Sequence, residues 1–257
     1  MYPIDLKGKK GVILGVANDR SIAWSIARVL GQAGARLALT YQGERLQERV
    51  TRLADTLEEA IVLPCDATDD DQIEALFQTV KQEFGDISFL VHSIAYANRE
   101  DLAGNFSETG REGFRIALEI SAYSLLPLVK HAAPLMTDGG SVLTMTFQAS
   151  QKVYPGYNVM GTAKAALEHE IRQLAFEFGE RGIRFNAISA GPLETLAARG
   201  IHGFMDMRRH HAEKAALKRN ISADEVANTA LFLCSDLSSG ITGSVIPVDA
   251  GYHIMAI

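Results

Sequence analysis

Seven short apolar runs alternate with amphipathic stretches along this chain, and that alternation leaves few folds open. The runs occupy residues 11–15, 36–41, 60–65, 87–92, 141–146, 184–189 and 243–248. Helical periodicity marks 21–33, 46–57 and 70–84, and further helical patterns separate the later runs. A strand that is apolar at every position is covered on both faces, and strand–helix alternation sets such strands parallel. The expected architecture is α/β: a doubly wound parallel sheet of about seven strands with helices on both faces. No linker-like or repeated segment interrupts the pattern, so 1–257 reads as a single domain.

The composition suits that reading. A 257-residue chain with 47% hydrophobic residues buries a large core. Its net charge of −6 argues against nucleic acid as a partner, which calls for a basic stripe. Cys65 and Cys234 sit in apolar surroundings without ligand spacing, so they read as buried small hydrophobes of a reducing compartment, and no metal is expected. No apolar run approaches the roughly 20 residues that cross a bilayer. Residues 1–10 lack the apolar core of a signal peptide. The expectation is a soluble, cytoplasmic protein with no membrane partner.

In a sheet of this kind ligands bind beyond the carboxyl ends of the strands, where the strand order reverses. Gly15 ends the first run, and the amides that open the following helix suit a pyrophosphate. The spacing is not G-x-G-x-x-G, since Ser21 and Ala23 stand where glycine is usual. Asp66 after the third run and Ser93-Ile94-Ala95 after the fourth fall at the same edge, which favours a dinucleotide groove. Tyr157 and Lys164 lie seven residues apart, almost two helical turns, on one helix face. A cation so placed favours the phenolate, lowering the tyrosine pKa and fitting Tyr157 for proton donation or oxyanion stabilisation.

Together, Gly15-Val16-Ala17-Asn18-Asp19-Arg20-Ser21-Ile22-Ala23-Trp24, Thr40-Tyr41-Gln42, the 157–164 stretch and Ser189-Ala190-Gly191-Pro192 resemble the bacterial enoyl-acyl-carrier-protein reductases, a divergent branch of the short-chain dehydrogenase/reductases. The likeness runs from about Leu6 to Tyr252, and Ser21 in place of a third glycine is itself a mark of that family. The resemblance implies a Rossmann fold, a homotetramer and a substrate lid at about 193–215. It also implies NADH-dependent reduction of the trans-2 double bond of an enoyl thioester, carried on acyl carrier protein, in fatty-acid biosynthesis. Carried over by residue, Gly15, Ser21 and Ile22 meet the cofactor's pyrophosphate end, Asp66 and Ala67 flank the adenine, and Ser93 and Ala95 the ribose. Lys164 holds the nicotinamide ribose, while Ile188, Ala190, Pro192 and Thr195 line the nicotinamide pocket. Tyr157 and Lys164 are the catalytic pair; Tyr96, Phe147, Tyr157 and Phe204 meet the substrate.

At the end of the second run the chain reads Gln42-Gly43-Glu44-Arg45. A 2′-phosphate calls for cations there, so NADH is expected over NADPH. Three departures from the family pattern bear on substrate. Phe147 stands where a second tyrosine is usual, and 146–154 lacks the aromatic-then-glycine pattern. His202, Met205 and Asp206 stand where carrier-docking bases are common, with Glu194 nearby and positive charge returning at Arg199, Arg208 and Arg209. Arg208-Arg209-His210-His211 reads as a solvated basic helix, Met205 and Met207 as apolar contacts, and Tyr154 as wall packing. Two alternatives stay open: a carbonyl or small-enoyl reductase independent of acyl carrier protein, and a non-catalytic dinucleotide-binding protein.

Overall fold

The structure, a computed structural model, describes residues 4–196, 198, 201 and 203–256. Its strands are β1 (Lys10–Leu14), β2 (Arg36–Tyr41), β3 (Ile61–Pro64), β4 (Phe89–His92), β5 (Gly140–Thr146), β6 (Ile183–Ala190) and β7 (Ser244–Val248). All seven expected runs are strands. They form one parallel sheet in the order β3-β2-β1-β4-β5-β6-β7. The order grows outward through β1, β2 and β3, then returns to the other side of β1 with β4. A crevice therefore opens at the carboxyl ends of β1 and β4.

The pleat sends successive side chains to opposite faces, so each apolar strand feeds two cores. Ile13, Leu37, Leu39, Leu143 and Met145 join one core, with Trp24, Ile26 and Leu30 of α1 (Ile22–Gln32), Val50 of α2 (Glu44–Ala54) and Val226 and Leu233 of α9 (Ala223–Cys234). Val12, Leu14, Ala38, Leu90 and Val142 join the other, with Leu76 and Val80 of α3 (Asp70–Phe84), Leu128 of α6 (Leu125–Ala132) and Leu167 and Ile171 of α7 (Asn158–Phe178). Cys65 and Cys234 are unpaired and buried, and burial pushes both thiols up to about 12.

Two helices carry clear start signals. The Asp69 carboxylate accepts the amides of Asp71 and Gln72 before α3. Ser222 and Glu225 form a reciprocal capping box at α9. Between β4 and β5 the chain makes α4 (Arg99–Leu102) and α5 (Arg111–Leu118), then a π-helical turn, Glu119–Tyr123, that runs into α6. That turn is tied to the sheet. Ser124 Oγ donates to Ile120 O and bonds His92 Nε2 at 2.8 Å, while His92 Nδ1 meets Thr144 Oγ1 at 3.1 Å. Burial, with the Lys164 ammonium nearby, holds His92 down to about 3, so the ring is neutral. After β6 the next described α-helix is α8 (Phe204–Lys214). Among the described residues no helix is long and apolar enough to cross a membrane.

Candidate active site

The turn after β1 is built around a close approach. Gly15 has φ +98°, and a Cβ there would lie 2.0 Å from the Ser93 carbonyl oxygen at the end of β4. Ser21 closes the turn from the other side, its Oγ accepting the amides of Ala17 at 3.1 Å and Asn18 at 3.0 Å. The hydroxyl that replaces a glycine therefore shapes the turn. The first-turn amides of α1, at Ile22 and Ala23, are left to meet an anion. Beside the turn a cleft of about 330 Å³ is lined by Arg20, Arg49, Arg52 and Leu196 among others, so positive charge flanks the place for a pyrophosphate.

At the next two strand ends, Gln42 Nε2 donates to Asp66 Oδ2 at 3.0 Å, and Asp66 Oδ1 accepts the amide and hydroxyl of Thr68. Burial pushes the Asp66 carboxyl up, but the hydrogen bonds from Gln42 and Thr68 outweigh it and hold the group below its ordinary value. A carboxylate fixed against Gln42 repels a phosphate at that point. Ala67 follows Asp66, Ser93 and Ala95 follow β4, and Ala190, Pro192 and Thr195 lie at and beyond the end of β6. Ile188 is the exception among the expected cofactor residues. It sits inside β6, fully buried between Met145 and Ile246, and belongs to the sheet core.

Tyr157 and Lys164 come from the start of α7, with Tyr157 at the position before the first helical residue. Asn158 takes φ +29°, a left-handed conformation that asparagine tolerates, and its carboxamide donates to the carbonyls of Ala103 and Gly104 at 3.2 Å. Three successive positions at the end of β5 hold this helix. Met145 O accepts from Lys164 Nζ at 2.8 Å, Thr146 Oγ1 donates to Glu168 Oε1 at 2.7 Å, and the Phe147 ring lies 5.1 Å from that of Tyr157. Lys164 and Glu168 are each 4% exposed. Burial pulls the Lys164 ammonium down to about 8, and the Glu168 carboxylate opposes that shift.

The expected lowering of the tyrosine pKa is not what the geometry gives. Lys164 Nζ bonds Met145 O, and burial pushes the Tyr157 hydroxyl above its ordinary value. Tyr157 is therefore protonated at neutral pH and can act as a hydrogen-bond donor. Tyr154 is a wall residue as expected: its ring packs 4.7 Å from Phe147 and its hydroxyl donates to Gln148 Oε1 at 2.6 Å. Tyr96 is half exposed and bonds Asn98 Oδ1 through its hydroxyl, while Phe204 is buried at the head of α8. Met205 is exposed, contrary to the apolar contact expected of it, and Met207 is partly buried.

The basic stretch 208–211 is only partly solvated. Arg208 pairs with Glu194 at 3.4 Å and Arg209 with Asp206 at 2.9 Å, but His211 is buried. His202 and Arg199 lie outside the described residues. Sequence reasoning missed Thr146, Glu168, His211 and Tyr252. A glutamate four residues after a lysine reads as a surface ion pair, and only the docking of α7 on β5 reveals it as internal.

A profile for the enoyl-(acyl carrier protein) reductase family matches residues 15–253. The NADH-named FabI enoyl-[acyl-carrier-protein] reductase of Bacillus cereus is 52% identical over 252 residues, covering 97% of this chain and 98% of its own length. That of Bacillus subtilis is 49% identical over 98% of both. A crystal structure of the Bacillus cereus enzyme with NADP+ and indole naphthyridinone matches with TM-score 0.96 at 51% identity, over 98% of this chain and 99% of that one. FabI of Candidatus Liberibacter asiaticus matches with TM-score 0.97 at 43% identity, over 100% and 99%. With a family profile over nearly its whole length and relatives about half identical to it, this chain belongs to the enoyl-(acyl carrier protein) reductase family.

Proposed function

We propose that the protein reduces the trans-2 double bond of an enoyl thioester at the expense of NADH, as a step of fatty-acid biosynthesis, with the thioester carried on acyl carrier protein. The observation that carries this reading is the placing of a protonated phenol and a buried ammonium on α7, beside the crevice at the β1 and β4 ends. The residues at that crevice fit a dinucleotide. Gly15 lets the backbone come close to Ser93, the Ile22 and Ala23 amides have no intrahelical acceptor, and Gln42 and Asp66 offer hydrogen bonds but no cation. Lys164 holds ribose hydroxyls, and Ala190, Pro192 and Thr195 border the nicotinamide. Residues 193–215 act as a lid on this single domain, and Tyr96, Phe147 and Phe204 border the acyl group.

When bound, NADH supplies the hydride that adds to the β-carbon. Negative charge then develops on the thioester oxygen. The Tyr157 hydroxyl donates a hydrogen bond to that oxygen, a contribution of about 3–4 kcal/mol for a preorganised donor. Solvent returns a proton to the α-carbon. Lys164 keeps its charge through Met145 O and Glu168 and transfers no proton itself.

NADH is favoured over NADPH because the Asp66 carboxylate lies against Gln42, where a 2′-phosphate would sit. The outer face of α8 supports a second reading of the substrate. Among the described residues Arg208 and Arg209 are each paired with a carboxylate, Glu194 and Asp206, which weakens the case for an acidic carrier and makes coenzyme A thioesters the alternative. Exposed Phe106, Phe114, Tyr123 and Phe176, on or beside α5 and α7, support self-association as a homotetramer. Light scattering is expected to give four times the chain mass. The two reduced cysteines support a cytoplasmic location.

The test is loss of NADH absorbance with a short trans-2-enoyl thioester, offered on acyl carrier protein and on coenzyme A, with NADPH in a parallel arm. Turnover with NADH on either carrier supports the reductase, and the better carrier decides between the two substrates. NADH binding without turnover on either would overturn the reading.

A further inference from the structure

The last turn of helix α8 carries a residue, His211, that the chemistry above does not use. His211 is 3% exposed, and among the described residues neither ring nitrogen reaches full hydrogen-bond geometry, although the Asn220 side chain faces the ring. An apolar side chain would fill that space without the desolvation cost of an imidazole. What the ring makes is packing. It stacks on Tyr252 with centroids 4.4 Å apart and planes at 23°. Its Nε2 lies against Gly191, where a Cβ would come within 3.1 Å. Gly191 directly follows Ala190 at the end of β6, so the histidine bears on the segment given to the nicotinamide pocket.

Tyr252 belongs to a turn that several elements clasp. Gly191 N donates to Val248 O at 2.8 Å, Leu217 N to Ala250 O at 3.0 Å, and Lys152 Nζ to His253 O at 3.3 Å. Ala250 is held at φ +56°, a strained value for alanine that persists only where its surroundings fix it. The Tyr252 phenol faces that of Tyr154, whose ring meets Phe147, which in turn meets Tyr157. One small turn therefore joins α8, the loop after β6 and the wall of the catalytic tyrosine.

We propose that His211 is a positioning residue: as a neutral ring seated between Tyr252 and Gly191 it latches α8 over the substrate side of the site, and its protonation releases that latch. The proposal rests on the reading of 193–215 as a lid and of Tyr157 as the oxyanion donor. The groups facing the ring can be named. Burial, the largest influence, and His210 oppose the cation, while Asp249 and Asn220 favour it. Asp249 is already shared, accepting the amides of Gly251 and His253 and the His253 Nδ1. One turn earlier Arg208 is paired with Glu194. The balance holds His211 below its ordinary value of 6.5. The latch is therefore in place above that pH and is lost as pH falls below it.

The test is kcat and KM for the enoyl thioester and for NADH between pH 8 and pH 5.5, in the wild type, His211→Phe, His211→Ala and Tyr252→Leu, each checked by circular dichroism. In the wild type the thioester KM is expected to rise about fivefold or more on acidification, with the NADH KM changing less than about twofold, as expected of one titrating histidine. His211→Phe keeps the stack and should lose the pH response. His211→Ala and Tyr252→Leu should show the raised thioester KM already at neutral pH. A thioester KM that does not respond to pH in the wild type, or that responds equally in His211→Phe, overturns the latch. A Tyr157→Phe enzyme run alongside keeps the two claims apart. Full turnover in that variant overturns the reductase reading, whereas loss of its kcat with an unaltered pH response in His211→Phe overturns the latch alone.

Discussion

A half-buried phenol that keeps its proton is a donor waiting for a charge to appear, the role proposed for Tyr157. Tyr157→Phe removes the donor and leaves the ring packing on Phe147 in place. Its kcat is expected to fall about 10²–10³-fold with little change in NADH affinity, measured by steady-state kinetics and cofactor titration. Lys164 gives a second, opposite kind of prediction. With its ammonium held near 8 by burial, the charge proposed to grip the cofactor is present below that pH and lost as pH rises through it. Glu168→Gln keeps an acceptor for Thr146 but removes the supporting charge. NADH titrations from pH 6.5 to 9 should show binding weakening at a lower pH than in the wild type, and an unmoved transition would rule out the role given to Glu168. The tyrosine and lysine were legible in the sequence because their spacing matches a helical face. The direction of the tyrosine shift was not, because spacing carries no information about burial.

The elements themselves were largely written in hydrophobic periodicity, with ends that periodicity does not mark. The second helix, expected at 46–57, runs Glu44–Ala54 because Gly43, at φ +72°, turns the chain into it earlier than the apolar pattern starts. Helix α7 starts one residue after Tyr157, so that phenol sits at the helix mouth and not on its flank. The π turn at Glu119–Tyr123 left no pattern at all. Its support comes from His92, Thr144 and Ser124, residues on three separate elements. Capping chemistry, where it was present, has measurable weight. Ser222→Ala should destabilise the protein by about 1 kcal/mol, seen as a lower denaturation midpoint, because α9 loses its capping box while still packing on α1.

At the scale of the molecule, seven apolar runs with helices between them were enough to foretell a parallel sheet and the edge where ligands collect. Right-handed crossovers and short connections leave few other arrangements. Neutral His92 at the centre of that sheet makes a further prediction. Folding holds its ring unprotonated well below 6.5, so the stability it contributes is complete above that pH and fades as pH falls towards about 3. Thermal melts should lose on the order of a few kcal/mol over that range, and His92→Gln should show a shallower slope. The fastening of α7 to Met145, Thr146 and Phe147 has a different kind of consequence, one that concerns lineage and not energy. One residue gained or lost within 157–168 would turn the rest of the helix by roughly 100° against the strand, and one within 145–147 would send the strand-end side chains to the opposite face. Across those two short stretches descendants of this gene can change letters and not count.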